Sequence, residues 1–131
     1  MSAARTVRPR AAVVMLTTAG SREEGERIAA VLVDERLAAC VNVVSPITSI
    51  YRWRGAVERA EEALLVVKTR RALVARAGAR IRALHSYELP EVIALPIGGG
   101  SAAYLAWIAG ETGAPRPASR RRSRRRTPSR G

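Results

Sequence analysis

The residues of this 131-residue chain that offer metal-binding chemistry are few: Cys40, its only cysteine; His85, its only histidine; and Glu91 six positions later. Cys40 lies between Ala39 and Val41 in an apolar run, where a free cysteine is ordinarily a small, inert hydrophobe. As a ligand it needs a nearby cation to favour the thiolate. Sulfur suits Cu(I), whereas Cu(II) prefers nitrogen and oxygen donors. His85 stands just past a predicted helix, beside Tyr87, Glu88 and Glu91. It either caps that helix's last carbonyls or supplies the one imidazole nitrogen the chain owns. Glu91 joins it only if the loop folds back around Pro90. With no Cys-x-x-Cys pair and no His-x-x-x-His, a closed zinc site inside one chain is excluded. A complete metal site must borrow ligands across an interface.

A second constellation is Asn42, Tyr51, Trp53, Lys68 and Tyr87. Tyr and Trp near the end of a hairpin serve as interface anchors, with Asn42 satisfying backbone groups near a bend. The competing reading is a small anion cleft between subunits, lined by Lys68, Arg70 and Arg71 at a helix start. No nucleophile, base and orienting group occur together in sequence. The triglycine at 98–100 lacks the Lys-Ser/Thr of a phosphate loop. No catalytic residue is expected, and the chain is not expected to be an enzyme.

The elements that must hold these residues follow from pattern. Residues 11–18 (AAVVMLTT) form a short apolar run suited to a strand covered on both faces. Ser21-Arg22-Glu23-Glu24 is a capping box that opens a helix over residues 21–36. Residues 38–53 read as one long strand, bent or bulged at Pro46. Arg54-Gly55 is a turn, and residues 57–69 return as its partner. In that return strand Leu64 and Val66 face one way, Leu65 and Val67 the other, so both faces want burial. Two helices cover only one of them, which predicts an oligomer. Thr69 is expected to cap a second helix with Leu73, Ala77, Ile81 and Leu84 on its apolar stripe. Residues 92–97 read as a fourth strand, apolar on both faces, and Ser101 caps a last helix through Tyr104, Trp107 and Ile108. The order is βαββαβ with a C-terminal helix: α+β, a ferredoxin-like sandwich with a long bent hairpin.

Five ordered strings within residues 12–112 resemble the divalent-cation-tolerance (CutA) family. They are Cys40-Val41-Asn42 and Ser49-Ile50-Tyr51-Arg52-Trp53-Arg54-Gly55; Glu61-Glu62 with the run Leu64 to Thr69; His85-Ser86-Tyr87-Glu88-Leu89-Pro90-Glu91; and Tyr104-Leu105-Ala106-Trp107. The resemblance implies a homotrimer of ferredoxin-like subunits locked by their hairpins, associated with copper and other divalent cations. Two departures matter for ligands and loop shape. Ser86 stands where Pro is common in the family, and Thr17 takes the place of a second cysteine that some members carry. The expected function is therefore a non-catalytic, trimeric copper-binding protein of metal-ion tolerance. The alternative is a trimeric small-ligand-sensing or protein-interaction module.

Charge sets the tails apart from the body. Of the 23 Lys and Arg residues, three lie in residues 1–10 and eight in residues 114–131, leaving twelve against all eleven acidic residues. The formal charge of +12 belongs to the ends, and the body, residues 11–113, is close to neutral. Both ends lack the apolar residues that would offset the entropy of ordering them, so they read as disordered tails. Clustered arginine would bind nucleic-acid backbones non-specifically, without base stacking, since no aromatic residue is interleaved. One cysteine suits a reducing compartment, no apolar run is long enough to span a bilayer, and a cytoplasmic location is expected.

Overall fold

The computed structural model describes residues 11–114; residues 1–10 and 115–131, which make up the predicted tails 1–10 and 114–131 apart from Ala114, lie outside the described residues. Four strands and three helices run in the order β1 (Ala12–Ala19), α1 (Arg22–Asp34), β2 (Cys40–Trp53), β3 (Ala56–Arg70), α2 (Val74–Leu84), β4 (Ile93–Pro96) and α3 (Ala102–Glu111). The strands make one antiparallel sheet in the order β2-β3-β1-β4. The core lies between this sheet and the layer of α1 and α2: Val13, Met15, Leu65 and Val67 meet Ile28, Leu32, Ala77 and Ile81.

Ser21 caps α1 as its sequence predicts, its Oγ accepting from the Glu24 N–H at 3.1 Å. The other half of the capping box is diverted, because the Glu24 carboxylate turns to the N–H groups of Gly20 and Ser86 instead. At the far end Arg36 adopts φ +62, the left-handed conformation usually left to Gly. Its side chain explains the exception. Arg36 Nε donates to Gly113 O at 2.8 Å and Nη2 to Gly110 O at 3.1 Å, while Gly113 N donates back to Arg36 O. From the other side Arg70 Nε donates to Thr112 Oγ1 at 2.9 Å. The end of α3 is thus clasped by two arginines.

β2 and β3 form the long hairpin. Arg54 and Gly55 both take positive φ, as a two-residue hairpin turn requires. The pairing register shifts between Val44 and Ile47, placing the bulge at Ser45-Pro46, whose peptide bond is cis.

Three expectations are corrected. Thr69 does not cap α2: it is the penultimate residue of β3, fully buried, with Oγ1 donating to Leu37 O at 2.8 Å. A β-branched residue paired with Val13 extends the strand, and a 3-10 turn (Arg71–Leu73) leads into α2 with no side-chain cap. β1 is not covered on both faces of one chain; Val13, Met15, Thr17 and Ala19 are buried, and the alternate residues only half so. β4 is shorter than expected and exposed throughout, because it is an edge strand paired only with β1.

Among the described residues neither α1 nor α2 covers the other side of the sheet, where the end of α3 meets β3 through Arg70 and Thr112. Register places Val44 and Asn42 beside Leu64 and Val66, then Thr18 and Leu16, with Ile93 at the edge. The helices α1 and α2 lie on the opposite side. Val44, Ile93 and Leu95 remain 47%, 49% and 48% exposed. Apolar residues in such numbers on one sheet face mark an interaction surface.

Candidate functional site

The loop after α2 is fastened to the core by carboxylates from distant parts of the chain. Glu24 leaves the first turn of α1 on its buried side, four and eight residues before Ile28 and Leu32. Its Oε1 accepts from Gly20 N at 3.1 Å and its Oε2 from Ser86 N at 2.9 Å. Burial alone would raise its pKa. The Ser86 hydrogen bonds, the Gly20 N–H and the His85 ring outweigh that and hold the carboxyl below its ordinary value. Glu62 of β3, 8% exposed, accepts from Tyr87 Oη at 2.6 Å. Burial first, and then Glu62, push the Tyr87 phenol well above the usual tyrosine range.

His85 is the centre of this arrangement. Its side chain has no exposed surface. Nε2 lies 2.6 Å from Thr18 O, and Nδ1 accepts from Tyr87 N at 3.1 Å. A carbonyl on one nitrogen and an N–H on the other assign the proton to Nε2 and the lone pair to Nδ1. Glu24 Oε2 stands 3.6 Å from Nδ1, and the Tyr87 ring packs on the imidazole with centroids 4.7 Å apart. Although His85 directly follows the last residue of α2, its side chain pins the loop to β1 rather than capping helical carbonyls.

The other predicted residues are not gathered here. Cys40 is half-buried at the start of β2, paired with Lys68, whereas Thr18, the partner of His85, pairs with Leu64. Four residues of β3 separate these levels, about 13 Å along the sheet, so Cys40 and His85 do not share a site within one chain. Glu91 is exposed. Among the described residues no three His, Cys, Asp or Glu side chains group as a metal site. Asn42 and Lys68 do meet, Nζ donating to Oδ1 on the uncovered sheet face. Tyr51 is exposed and Trp53 half-buried near the hairpin turn. There Arg54 lies 5.2 Å over the Trp53 ring and pairs with Glu88 at 2.9 Å, tying the turn to the His85 loop. Of the cations expected to line an anion cleft, Lys68 is bound to Asn42 and Arg70 to Thr112, leaving Arg71.

Glu24 and Glu62 are site residues that sequence pattern does not single out. A signal for Glu24 is nevertheless present: a carboxylate on the buried stripe of an amphipathic helix requires partners. Nothing in the sequence names Ser86, 62 positions away, as that partner.

The family model for the CutA1 divalent ion tolerance protein matches residues 13–111. The chain belongs to this family. The divalent-cation tolerance protein CutA of Thermus thermophilus is 49% identical over 100 residues, covering 76% of this chain and 97% of the relative. The chloroplastic protein CutA of Arabidopsis thaliana is 46% identical over 100 residues, but the match spans only 55% of that relative. Among solved structures, the Thermus thermophilus cation-tolerance protein superposes with a TM-score of 0.76 at 48% identity, covering 78% of this chain and 99% of the other. CutA1 of Oryza sativa gives 0.77 at 43% identity, with coverages of 79% and 94%. The mixed α+β architecture is that of these structures. Among the described residues no helix is long and apolar enough to cross a membrane.

Proposed function

We propose that the chain is a homotrimeric, non-catalytic protein that binds divalent cations, copper foremost, and acts in metal-ion tolerance. Its subunit is a ferredoxin-like sandwich whose uncovered sheet face packs against neighbouring copies. The observation that carries the reading is the company Cys40 keeps. It sits at the end of that face, in line with Lys68, Val14 and Leu95. A second copy pressed onto the face would bring donors that one chain lacks. Family membership supplies the cation; the uncovered face supplies the reason for assembly. His85 enters the metal site only by giving up Thr18 O or the Tyr87 N–H, so we assign Cys40 as the primary donor. We assign Glu91 of a neighbouring copy as the carboxylate beside it, since within one chain β4 and β2 are opposite edges of the sheet.

The test is calorimetric titration with copper, in both oxidation states, of the wild type, Cys40→Ala, His85→Ala and Glu91→Gln. The expected pattern is loss of binding in Cys40→Ala, with retention in His85→Ala wherever light scattering shows an intact assembly. Equal binding by the wild type and Cys40→Ala overturns the assignment.

A further inference from the structure

The charge state of His85 decides which of two neighbours its ring can hold. Nδ1 has partners of opposite character: the Tyr87 N–H, which donates to it at 3.1 Å, and Glu24 Oε2, 3.6 Å away. With its one proton on Nε2, facing Thr18 O at 2.6 Å, the neutral ring takes the first. An imidazolium carries a proton on both nitrogens, so Nδ1 then has no lone pair left to accept with. The Tyr87 N–H meets a second donor, and the Glu24 carboxylate becomes the acceptor for the new N–H.

The surroundings favour this exchange. From α1 the group facing the ring is Glu24, since Glu23 and Glu26 are exposed. Its lowered pKa leaves it a carboxylate across the range in which an imidazole titrates, about pH 5–8. β1 and β4 carry no titratable side chain. Glu62 of β3 faces the Tyr87 hydroxyl at 2.6 Å, and Tyr51 of β2 acts on the same phenol. On α2, Arg82 is exposed, and in the loop itself Glu88 is turned outward to Arg54 and Glu91 is exposed. Among the described residues Glu24 is the carboxylate paired with the ring.

The two halves of the loop therefore answer a proton differently. Glu24 already holds Ser86 N at 2.9 Å, and a carboxylate oxygen can accept from a second donor. Tyr87 N has no such alternative: it gives up its acceptor. Beyond it, Glu88 joins Arg54 at 2.9 Å, which links this part of the loop to the hairpin turn.

We propose that His85 is a pH-operated latch: protonation at Nδ1 passes the ring from the Tyr87 N–H to the Glu24 carboxylate and frees the loop from Tyr87 onward, while Ser86 stays fastened. The proton comes from solvent and no covalent bond changes. The latch needs no metal, since the donors assigned above are Cys40 and Glu91 of a neighbouring copy.

The experiment is nuclear magnetic resonance on the full, 15N-labelled chain without added metal, between about pH 8 and pH 5. Ring-nitrogen shifts of His85 report its protonation. Amide hydrogen exchange, expressed as protection relative to an unstructured chain, reports the two halves of the loop. As Nδ1 gains its proton, protection of the Tyr87 amide falls about 10-fold, as the loss of one hydrogen bond of about 1.4 kcal/mol requires. Protection of the Ser86 amide is kept. In His85→Gln, which cannot titrate, the Tyr87 amide shows no such pH dependence. The proposal is overturned if the ring stays neutral down to about pH 5, or if Tyr87 keeps its protection once the ring is charged. A parallel loss at Ser86, which marks a general loosening of the fold, overturns it too, as does the same fall in His85→Gln.

Discussion

Tyr87 and Glu62 show how one hydrogen bond sets the response of this fold to alkali. With its phenol pKa raised, Tyr87 contributes stability that is complete below the unfolded value near 10 and is lost as pH rises through the folded one. Tyr87→Phe leaves the Glu62 carboxylate buried without its donor. We expect a loss of about 1–3 kcal/mol in urea denaturation at neutral pH, and less additional loss above pH about 10 than in wild type. Glu24 acts at the other end of the scale. Its lowered pKa gives stability that is present above the unfolded value of 4.5 and is lost as pH falls through the folded one. Glu24→Gln is therefore less stable at neutral pH, yet its acid unfolding curve is flatter below that value; parallel curves would contradict this. Thr17 is the converse case, since its Oγ1 is buried with no hydrogen-bond partner among the described residues. Thr17→Val removes that orphan at nearly constant volume and should raise stability by about 1 kcal/mol, read as an upward shift of Tm.

Helix seating is decided by glycines that look alike in the sequence. A Cβ at Gly25 would stand 3.0 Å from Leu65 Cδ1 and 3.4 Å from Ala63 Cβ, whereas at Gly110 it would meet nothing within 4 Å. Gly25→Ala should lift α1 from the sheet at a cost of about 1–3 kcal/mol. Gly110→Ala should stabilise α3 by about 0.5–1 kcal/mol; thermal melts of opposite sign check the pair. The elements themselves are legible because their signals are local. Apolar period, the Ser21 and Ser101 caps, the Arg54-Gly55 turn and the bulge at Pro46 all stand where the sequence places them. Thr69 misleads because a residue that can cap can equally extend a strand, and only its distant partners, Val13 and Leu37 O, decide which. His85 stands out as the lone imidazole, but its partners lie 67 residues away at Thr18 and across the turn at Tyr87, beyond any spacing rule.

At the scale of the whole molecule, the uncovered sheet face is the largest consequence of the strand order. If trimer formation rests on it, Val44→Lys should lower the mass seen by light scattering from three chains to one while far-UV circular dichroism keeps its shape. An unchanged mass would remove this face from the assembly. The two-faced apolar character of β3 is readable from sequence, since Leu64-Leu65-Val66-Val67 admits no polar side; which face the helices take is not, because it depends on the crossovers. The same strand order leaves β2 at an edge for all fourteen of its residues. Its outward row of N–H and C=O groups is a template onto which any extended peptide can add. If the proposed assembly covers that edge, a chain newly released from the ribosome carries an aggregation hazard until it meets its partners, and the rate of assembly, rather than the stability of the finished particle, sets how much protein survives synthesis.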